Sequence, residues 1–577
     1  MLILKGEVKL IKRKIAVPSV LLATVLSVTL LSACTGTNNG SDNNSPAQTS
    51  TAAANETKSN KENGPLTKYS EPIELTTGRI IYDSSWKFDQ GKSIDNNFWY
   101  DIYRDELNIN VKNTWVVNGG DSGAAKINTS IASGDIPDLL RVDASQLKTL
   151  VEADMLEDLT TVYDQFASEY TKKQLSSDGG DSLSSATFGG KLYGIPETGS
   201  PYDGVPLLWI RTDWLEKLSL KEPTNIEELL AVAKAFVEQD PDGNNTKDTY
   251  GIAAFKDIVA IGNPASLEGF FNGYHAYPQH WIENEQGEIV YGSTQPEMKN
   301  ALAKLAQLYK EGILDKEFGV NDLGKVAESI AAGKIGIMYG PQWTSNWPLQ
   351  DLKNNQPDAD WKQLAVLSAD ATPASAQVGF STGSYYVVKK GYKHPEAAIK
   401  LLNIILEKKY EANSNPELFN RDIDGSPVEV WKYAAVFPGG DPMKNIVAYH
   451  NVSAAVETND PSSLNSEERI YYDNIVKYKN GDNTGFGLAK IFGENGSFAV
   501  IENAYIKQKR EKTTKFFGAP TATMVDKQAT LKQLEQEVFT KIILGNEPVD
   551  AFDSFVEQWN KIGGEQITKE VNEWAKQ

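Results

Sequence analysis

The 577 residues contain one cysteine, Cys34. A chain with a single thiol has no intramolecular disulfide, no cysteine-built zinc site and no redox pair. Whatever it folds into is held by packing and hydrogen bonds alone. The place of that cysteine is as informative as its solitude. Lys5, Lys9, Lys12, Arg13 and Lys14 make a basic leader, an apolar run follows from Ile15 to Leu31, and Leu31-Ser32-Ala33-Cys34 closes it. A basic segment, an apolar segment and small residues before a cut site are the parts of a secretory signal, whereas a retained spanning helix would carry charges at that flank.

Ending such a signal on a cysteine resembles the lipobox of bacterial lipoproteins. That resemblance implies a diacylglyceryl group on the Cys34 thiol and a mature chain that begins at Cys34. It places the protein on the extracellular face of the cell membrane, held by the lipid anchor alone. Two acyl chains anchor firmly where one holds only marginally. Residues 34–73 are mostly Asn, Ser, Thr, Gly, Ala and Lys. So few apolar residues cannot bury enough surface to fold, so this stretch is expected to be a disordered tether behind a signal peptide at 1–33.

The formal charge is −20. The leader carries five basic residues and one acid (Glu7), a charge of +4, so the remainder is near −24. That excludes nucleic acid and anionic lipid surfaces as partners, since both need a basic face. The length suits two domains with full cores. Beyond the leader no apolar run is long enough to span a bilayer.

From about Glu74 the chain alternates strand and helix patterns. Glu74–Ile81 reads as a strand, Asn97–Leu107 as a helix, Asn110–Val117 as a strand, Gly123–Ala132 as a helix and Ile136–Val142 as a strand. Val151–Leu159 reads as a helix running into a turn, and Lys191–Pro196 as a strand. Pro206–Arg211 and Lys334–Met338 read as further strands. Asn225–Glu238 and Met298–Tyr309 read as helices with apolar residues on one face. Three amphipathic helices close the chain, their stripes marked by Leu531/Leu534/Val538/Ile542, Phe552/Phe555/Val556/Trp559 and Ile567/Val571/Trp574. Alternation of this kind predicts an α/β class with open sheets.

Several stretches in order resemble family 1 extracellular solute-binding proteins, the capturing subunits of bacterial sugar importers of the ATP-binding cassette (ABC) type. They are Ile131-Ala132-Ser133-Gly134-Asp135-Ile136-Pro137-Asp138, Gly190-Lys191-Leu192-Tyr193-Gly194-Ile195-Pro196, Leu208-Trp209-Ile210-Arg211-Thr212-Asp213-Trp214-Leu215 and Gly333-Lys334-Ile335-Gly336-Ile337-Met338-Tyr339-Gly340. The closing segment from Pro520 to Trp574 fits as well, and the long lipoprotein-type subgroup of Gram-positive soil bacteria is the most similar. The resemblance implies a two-lobe, periplasmic-binding-protein-like fold of type II with a helical C-terminus and a ligand cleft between the lobes. By the family's order, lobe 1 holds 74–200 and 372–415, and lobe 2 holds 205–370 and 416–577. It also implies an oligosaccharide ligand, importer membrane subunits as partners, a monomer and no catalysis. A secreted glycoside hydrolase is the alternative, since it too would be acidic, exported and rich in tryptophan, and needs only two carboxylates at a set separation.

Sugars stack their C–H faces on flat rings and leave hydroxyls for polar edges. Trp343 and Trp347 follow a predicted strand in a Gly340-Pro341 bend, and Trp281, Trp431 and Trp209 also stand in candidate positions; core packing is the competing fate of each. Asp138, Asp143, Glu197, Arg211 and Tyr385 are the candidate polar partners, since carboxylates and guanidinium forks fix hydroxyls. Capping and surface charge compete there. An acidic sugar would ask for more basic residues than this cleft supplies.

Asp240-Pro241-Asp242-Gly243-Asn244-Asn245-Thr246-Lys247-Asp248 follows a helix and sets oxygen donors at alternate positions, with Thr246 offering its carbonyl. This is the first part of an EF-hand-like calcium loop. Gly251 stands where a bidentate glutamate is expected and Asn245 where glycine is. A structural calcium held by Asp240, Asp242, Asn244, Thr246 and Asp248 is expected. Gly379-Phe380-Ser381-Thr382-Gly383 matches G-x-S-x-G but is followed by the strand pattern Tyr385–Val388, whereas a nucleophile elbow needs a helix there. It reads as a turn at a lobe crossing. His275 and His280 lie in an aromatic loop without acidic company and do not make a metal site.

Overall fold

The computed structural model describes residues 64–81, 86–118, 121–410, 415–419, 421, 423, 430–437 and 440–576. The predicted signal segment and Cys34 lie outside the described residues. Eleven of the fifteen strands among the described residues build the frame. In chain order they are β1 (Ile73–Ile81), β2 (Ile109–Asn118), β3 (Leu139–Val142), β4 (Ile195–Thr198), β5 (Leu207–Arg211), β6 (Tyr250–Ile252), β7 (Ile335–Gly340), β8 (Trp361–Leu364), β9 (Ala376–Val378), β10 (Thr382–Val388) and β11 (Glu511–Thr513).

Two sheets carry the two lobes. The first has the order β2-β1-β3-β10-β4 and the second β8-β5-β7-β6. In the first, β1 runs parallel to β2 and β3, while β10 returns from the other lobe and enters antiparallel between β3 and β4. The chain crosses between the lobes after β4, again between β8 and β10, and a third time after Phe437. The third crossing is stitched to the first by reciprocal bonds: the Gly440 N–H donates to the Thr198 carbonyl (2.8 Å), and the Thr198 hydroxyl donates to the Gly440 carbonyl (2.9 Å).

The second sheet is buried on both faces, as the continuous apolar runs of β5 and β7 require. Strand alternation sends Leu208 and Ile210 into one core and Leu207 and Trp209 into the other. Gly336 in β7 makes room for its neighbours, since a Cβ there would sit 2.3 Å from the Phe236 ring. The helix Ile226–Glu238 starts where the Asn225 side chain accepts from the Glu228 N–H, and it buries Leu229, Leu230, Ala233 and Phe236. The three closing helices, Ala522–Ile543, Ala551–Trp559 and Glu565–Trp574, join the core of this lobe. No helix of the described residues is long and apolar enough to cross a membrane.

Two predicted boundaries are corrected. The disordered tether was expected to reach residue 73, but residues from Gly64 onward lie strapped to the first lobe. The Pro65 carbonyl accepts from Asn403 Nδ2 (3.0 Å), the Thr67 carbonyl from Lys400 Nζ (2.5 Å), and the Tyr69 hydroxyl donates to Glu396 Oε1 (2.7 Å). Leu66 and Tyr69 supply the apolar contact that composition understated. The second correction concerns 416–437, assigned to the second lobe. Phe419, Ile423, Val430 and Tyr433–Val436 belong to the core of the first sheet. The crossing therefore follows Phe437.

Candidate functional site

Open α/β sheets bind ligands outside the carboxyl ends of their parallel strands. In the first sheet that end gathers Arg79, Trp115, Arg141, Tyr386 and Phe437 around a narrow recess. Its shape begins with Gly78. A bulge in the β1–β2 pairing falls between Thr77 and Gly78, and the Trp115 ring fills the space a Cβ would need, 2.1 Å away. Arg79 is buried and donates to the Lys432, Tyr433 and Ala434 carbonyls, so it fastens the 430–437 segment under the sheet. Arg141 forms a two-pronged pair with Glu197, 2.5 and 3.1 Å, and lies 5.5 Å from the Phe437 ring centre. Both partners keep part of their side chains exposed, 29% and 19%.

A groove of about 510 Å³ runs between the lobes. The first lobe contributes Lys148, Ser184, Ser185 and Phe188, and the second contributes Phe516, Phe517, Glu570 and Trp574. The rings are held edge to face, with Phe517 at 4.9 Å and Phe516 at 5.0 Å from Trp574. Lys148 Nζ donates across the groove to the Pro520 carbonyl at 3.3 Å. Sequence reasoning placed Trp574 in a helix stripe and did not single out Phe517, Arg141 or Lys148. Their only early signal is aromatic and basic residues next to strand ends and the last helix.

The predicted residues divide. Glu197 is at the recess through Arg141. Tyr385 is buried, its hydroxyl bonded to Ser185 Oγ at 2.8 Å, which places it just behind the groove wall. Trp343 is half-buried and Trp347 is 36% exposed, in and just after the turn Gln342–Ser345 that follows β7. Ser345 Oγ pins that turn to the Gly487 carbonyl. Trp431 packs on the first core under Lys409, whose ammonium lies 4.2 Å from the ring centre.

The others serve the fold. Trp209 is fully buried and donates from Nε1 to the Gly340 carbonyl. Arg211 is buried, paired with Asp213 at 2.7 and 2.5 Å, and stacked 4.5 Å from the Trp214 ring centre. Trp281 sits in the second core against Tyr291 and Phe516. Asp143 caps the helix Ala144–Glu152 in a reciprocal box with Gln146. Asp138 precedes β3 and so stands at the amino end of the sheet, accepting from the Thr76 N–H and hydroxyl.

The loop 240–248 keeps its carboxylates together. Asn244 Nδ2 donates to Asp242 Oδ2 (2.8 Å) and Asp248 Oδ1 (3.0 Å), Lys334 pairs with Asp248, and Asp240 Oδ1 is buried without a partner. Burial, and then the neighbouring Asp240 carboxylate, push the Asp242 carboxyl up. Asp240, Asn245 and Gly243 take positive φ, as a tight donor loop requires. Among the described residues no group of three or more histidines, cysteines or acids is arranged to hold a metal ion, and in this loop the Asn244 amide lies between the Asp242 and Asp248 carboxylates. The donor set itself, with an unpartnered oxygen, is one that suits a hard cation. In the turn 379–381, Ser381 Oγ donates to Asp178 Oδ2 with no histidine between them, so no nucleophilic triad forms there.

Comparison with known proteins now bears on this architecture. LipO, a lipoprotein of Bacillus subtilis, is 24% identical over 471 residues, 80% of this chain and 85% of LipO. The polygalacturonan/rhamnogalacturonan-binding protein YtcQ of the same organism is 25% identical, covering 68% of this chain and 71% of YtcQ. The Streptococcus pneumoniae ABC-transporter substrate-binding protein FusA, solved as an EF-hand mutant with fructo-nystose, shares the fold. Its TM-score is 0.60 at 16% identity, covering 87% of this chain and 99% of FusA. The family model described as bacterial extracellular solute-binding protein matches residues 88–412, more than half of the sequence, and the chain belongs to that family.

Proposed function

We propose that this protein is a non-catalytic capturing subunit. It binds an oligosaccharide between its lobes and passes it to the membrane subunits of an ABC importer, anchored outside the cell through a lipid on Cys34 and acting as a monomer. The observation that carries this reading is the inter-lobe groove, with Phe517 and Trp574 on one wall and Ser184, Ser185 and Lys148 on the other. Rings facing hydroxyl and ammonium groups suit a sugar's two kinds of surface. Trp343 and Trp347 follow the carboxyl end of β7 and are further candidate stacking rings of the second lobe. The relatives support the ligand class, since YtcQ is a polysaccharide-binding protein by name and FusA was solved with a fructo-oligosaccharide.

The lobes are best drawn as 64–200 with 372–437 and 205–370 with 440–577, and closure is a hinge motion about the three crossings. In the loop 240–248 a calcium ion is held by the side-chain oxygens of Asp240, Asp242, Asn244 and Asp248 and by the Thr246 carbonyl, with the Asn244 amide turned to offer its oxygen. Its role is structural, and the EF-hand of FusA supports it.

Calorimetric titration against a panel of oligosaccharides tests the reading. Saturable binding with the sugar recovered intact is expected. Cleaved sugar would favour the secreted glycoside hydrolase, and no binding across the panel would overturn sugar capture. Chelation should lower the melting temperature and calcium restore it; an unchanged melting curve removes calcium from the account.

A further inference from the structure

The rings of the groove are held from behind. A hairpin of Trp281–Glu283 and Ile289–Tyr291 sets Trp281 opposite Tyr291 and takes no part in either main sheet. Its two strands grip the two halves of the ring wall. The Lys515 N–H donates to the Trp281 carbonyl at 2.8 Å, which lays Phe516 against the Trp281 ring, centres 6.3 Å apart. On the other strand, Asn572 Oδ1 accepts from the Ile289 N–H at 2.9 Å, and Asn572 Nδ2 donates to the Ile289 carbonyl at 2.7 Å. One side chain thereby satisfies both main-chain groups of a strand edge, as a neighbouring strand would. Trp574 lies two residues farther along the same helix. Gly518 completes the fit, since a Cβ there would stand 2.5 Å from Trp574 Nε1.

Behind the hairpin, the Tyr291 ring stacks on Trp559 at 5.0 Å, and its hydroxyl donates to Glu535 Oε2 at 3.1 Å. Glu535 is 2% exposed. Resting on the carbohydrate reading above, we propose that this hairpin is the template that places Phe516, Phe517 and Trp574, with Asn572 and Glu535 as its positioning residues. Neither of the two lines the groove. Burial pushes the Glu535 carboxyl up to about 7, against hydrogen bonds from Ser293, Tyr291 and Gln279 and the charge of Lys532, which favour ionisation. Once ionised, it is a carboxylate in a dry site, and it is relieved by admitting water, which works against the Tyr291–Trp559 stack. The well-packed wall is the form that keeps the proton. Ring placement is therefore complete on the acid side and is lost as pH rises through about 7.

The test labels the full chain with fluorotryptophan and follows the fluorine resonance of Trp574, identified by its absence in Trp574→Phe. Without sugar, that resonance should move between about pH 5.5 and about pH 8.5, and stay level in Glu535→Gln. Asn572→Ala should shift it at every pH and leave the Trp209 resonance in place. Calorimetry then reads the consequence on an oligosaccharide panel that includes kestose, maltotetraose and xylotetraose. Asn572→Ala should weaken each sugar that the wild type binds by about tenfold. Wild-type affinity should fall by about threefold or more across the same pH interval, and Glu535→Gln should hold it level. If a variant does not fold, the wild-type pH course of the Trp574 resonance decides. A resonance that ignores pH or Asn572→Ala overturns the inference, and so does equal sugar binding by wild type and Asn572→Ala. No binding anywhere in the panel overturns sugar capture, and the resonance alone then decides the role of the hairpin.

Discussion

Arg211 and Arg141 invite comparison, because each sits near the end of a strand and faces a carboxylate. Arg211 takes its partner from two residues away, is 3% exposed and lies over Trp214. Arg141 takes its partner from another strand, 56 residues along the chain, and keeps 29% of its side chain exposed over Phe437. A pair closed locally inside a doubly covered sheet is a piece of core. A pair closed across strands at the carboxyl end of the first sheet is a surface that a ligand can address. The tryptophans divide the same way, with Trp209 in a strand buried on both faces and Trp343 on a turn beyond one.

Four experiments bear on that contrast. Trp209→Ala should have the largest effect, a loss of about 3–5 kcal/mol in stability by denaturant unfolding, from the cavity left between strand and core. A stable variant with weakened sugar binding would break the contrast. The second concerns Glu268, under the same sheet. Burial pushes its carboxyl up to about 8, opposed only by the Gly262 N–H, and its Oε1 has no partner. The folded state holds this proton more tightly than the unfolded one. Stability should therefore fall as pH rises from the ordinary carboxylate range through about 8, by on the order of 3–5 kcal/mol. Glu268→Gln should flatten that slope in melting experiments across the interval.

Asp213→Ala strands the buried Arg211 guanidinium and should cost about 2–3 kcal/mol in stability with sugar affinity unchanged. Trp343→Ala should do the reverse, lowering affinity by about 1 kcal/mol with a smaller change in melting temperature. Paired calorimetry and melting curves on both variants sharpen the division, and equal effects of the two on affinity would dissolve it.

Much of the frame was legible because its periodicity is strong. The helix Ile226–Glu238 and the strand Leu207–Arg211 lie within a residue or two of their predicted bounds. The stretch from Lys444 to Ile506 went unread as helix. Its helices place Ala448, Val452 and Ala455 or aromatic Tyr472 at buried positions, a thin signal beside a leucine stripe. At the site, residue type alone could not separate ligand from support. Asp143 had a readable warning in Gln146 three residues on, the signature of a reciprocal cap. Asp138 had none, since its partner Thr76 is 62 residues away. Arg141 was missed for the same reason, its meaning resting on the distant Glu197.

The strap at Pro65–Tyr69 sets where a pull on the N-terminal end of the chain is felt. Load arriving at residue 64 enters the helix Glu396–Tyr410 through Asn403, Lys400 and Glu396, all on the first lobe. None of it need pass through the stitch between Thr198 and Gly440. A pull delivered at that point bears on the first lobe alone and bypasses the crossing.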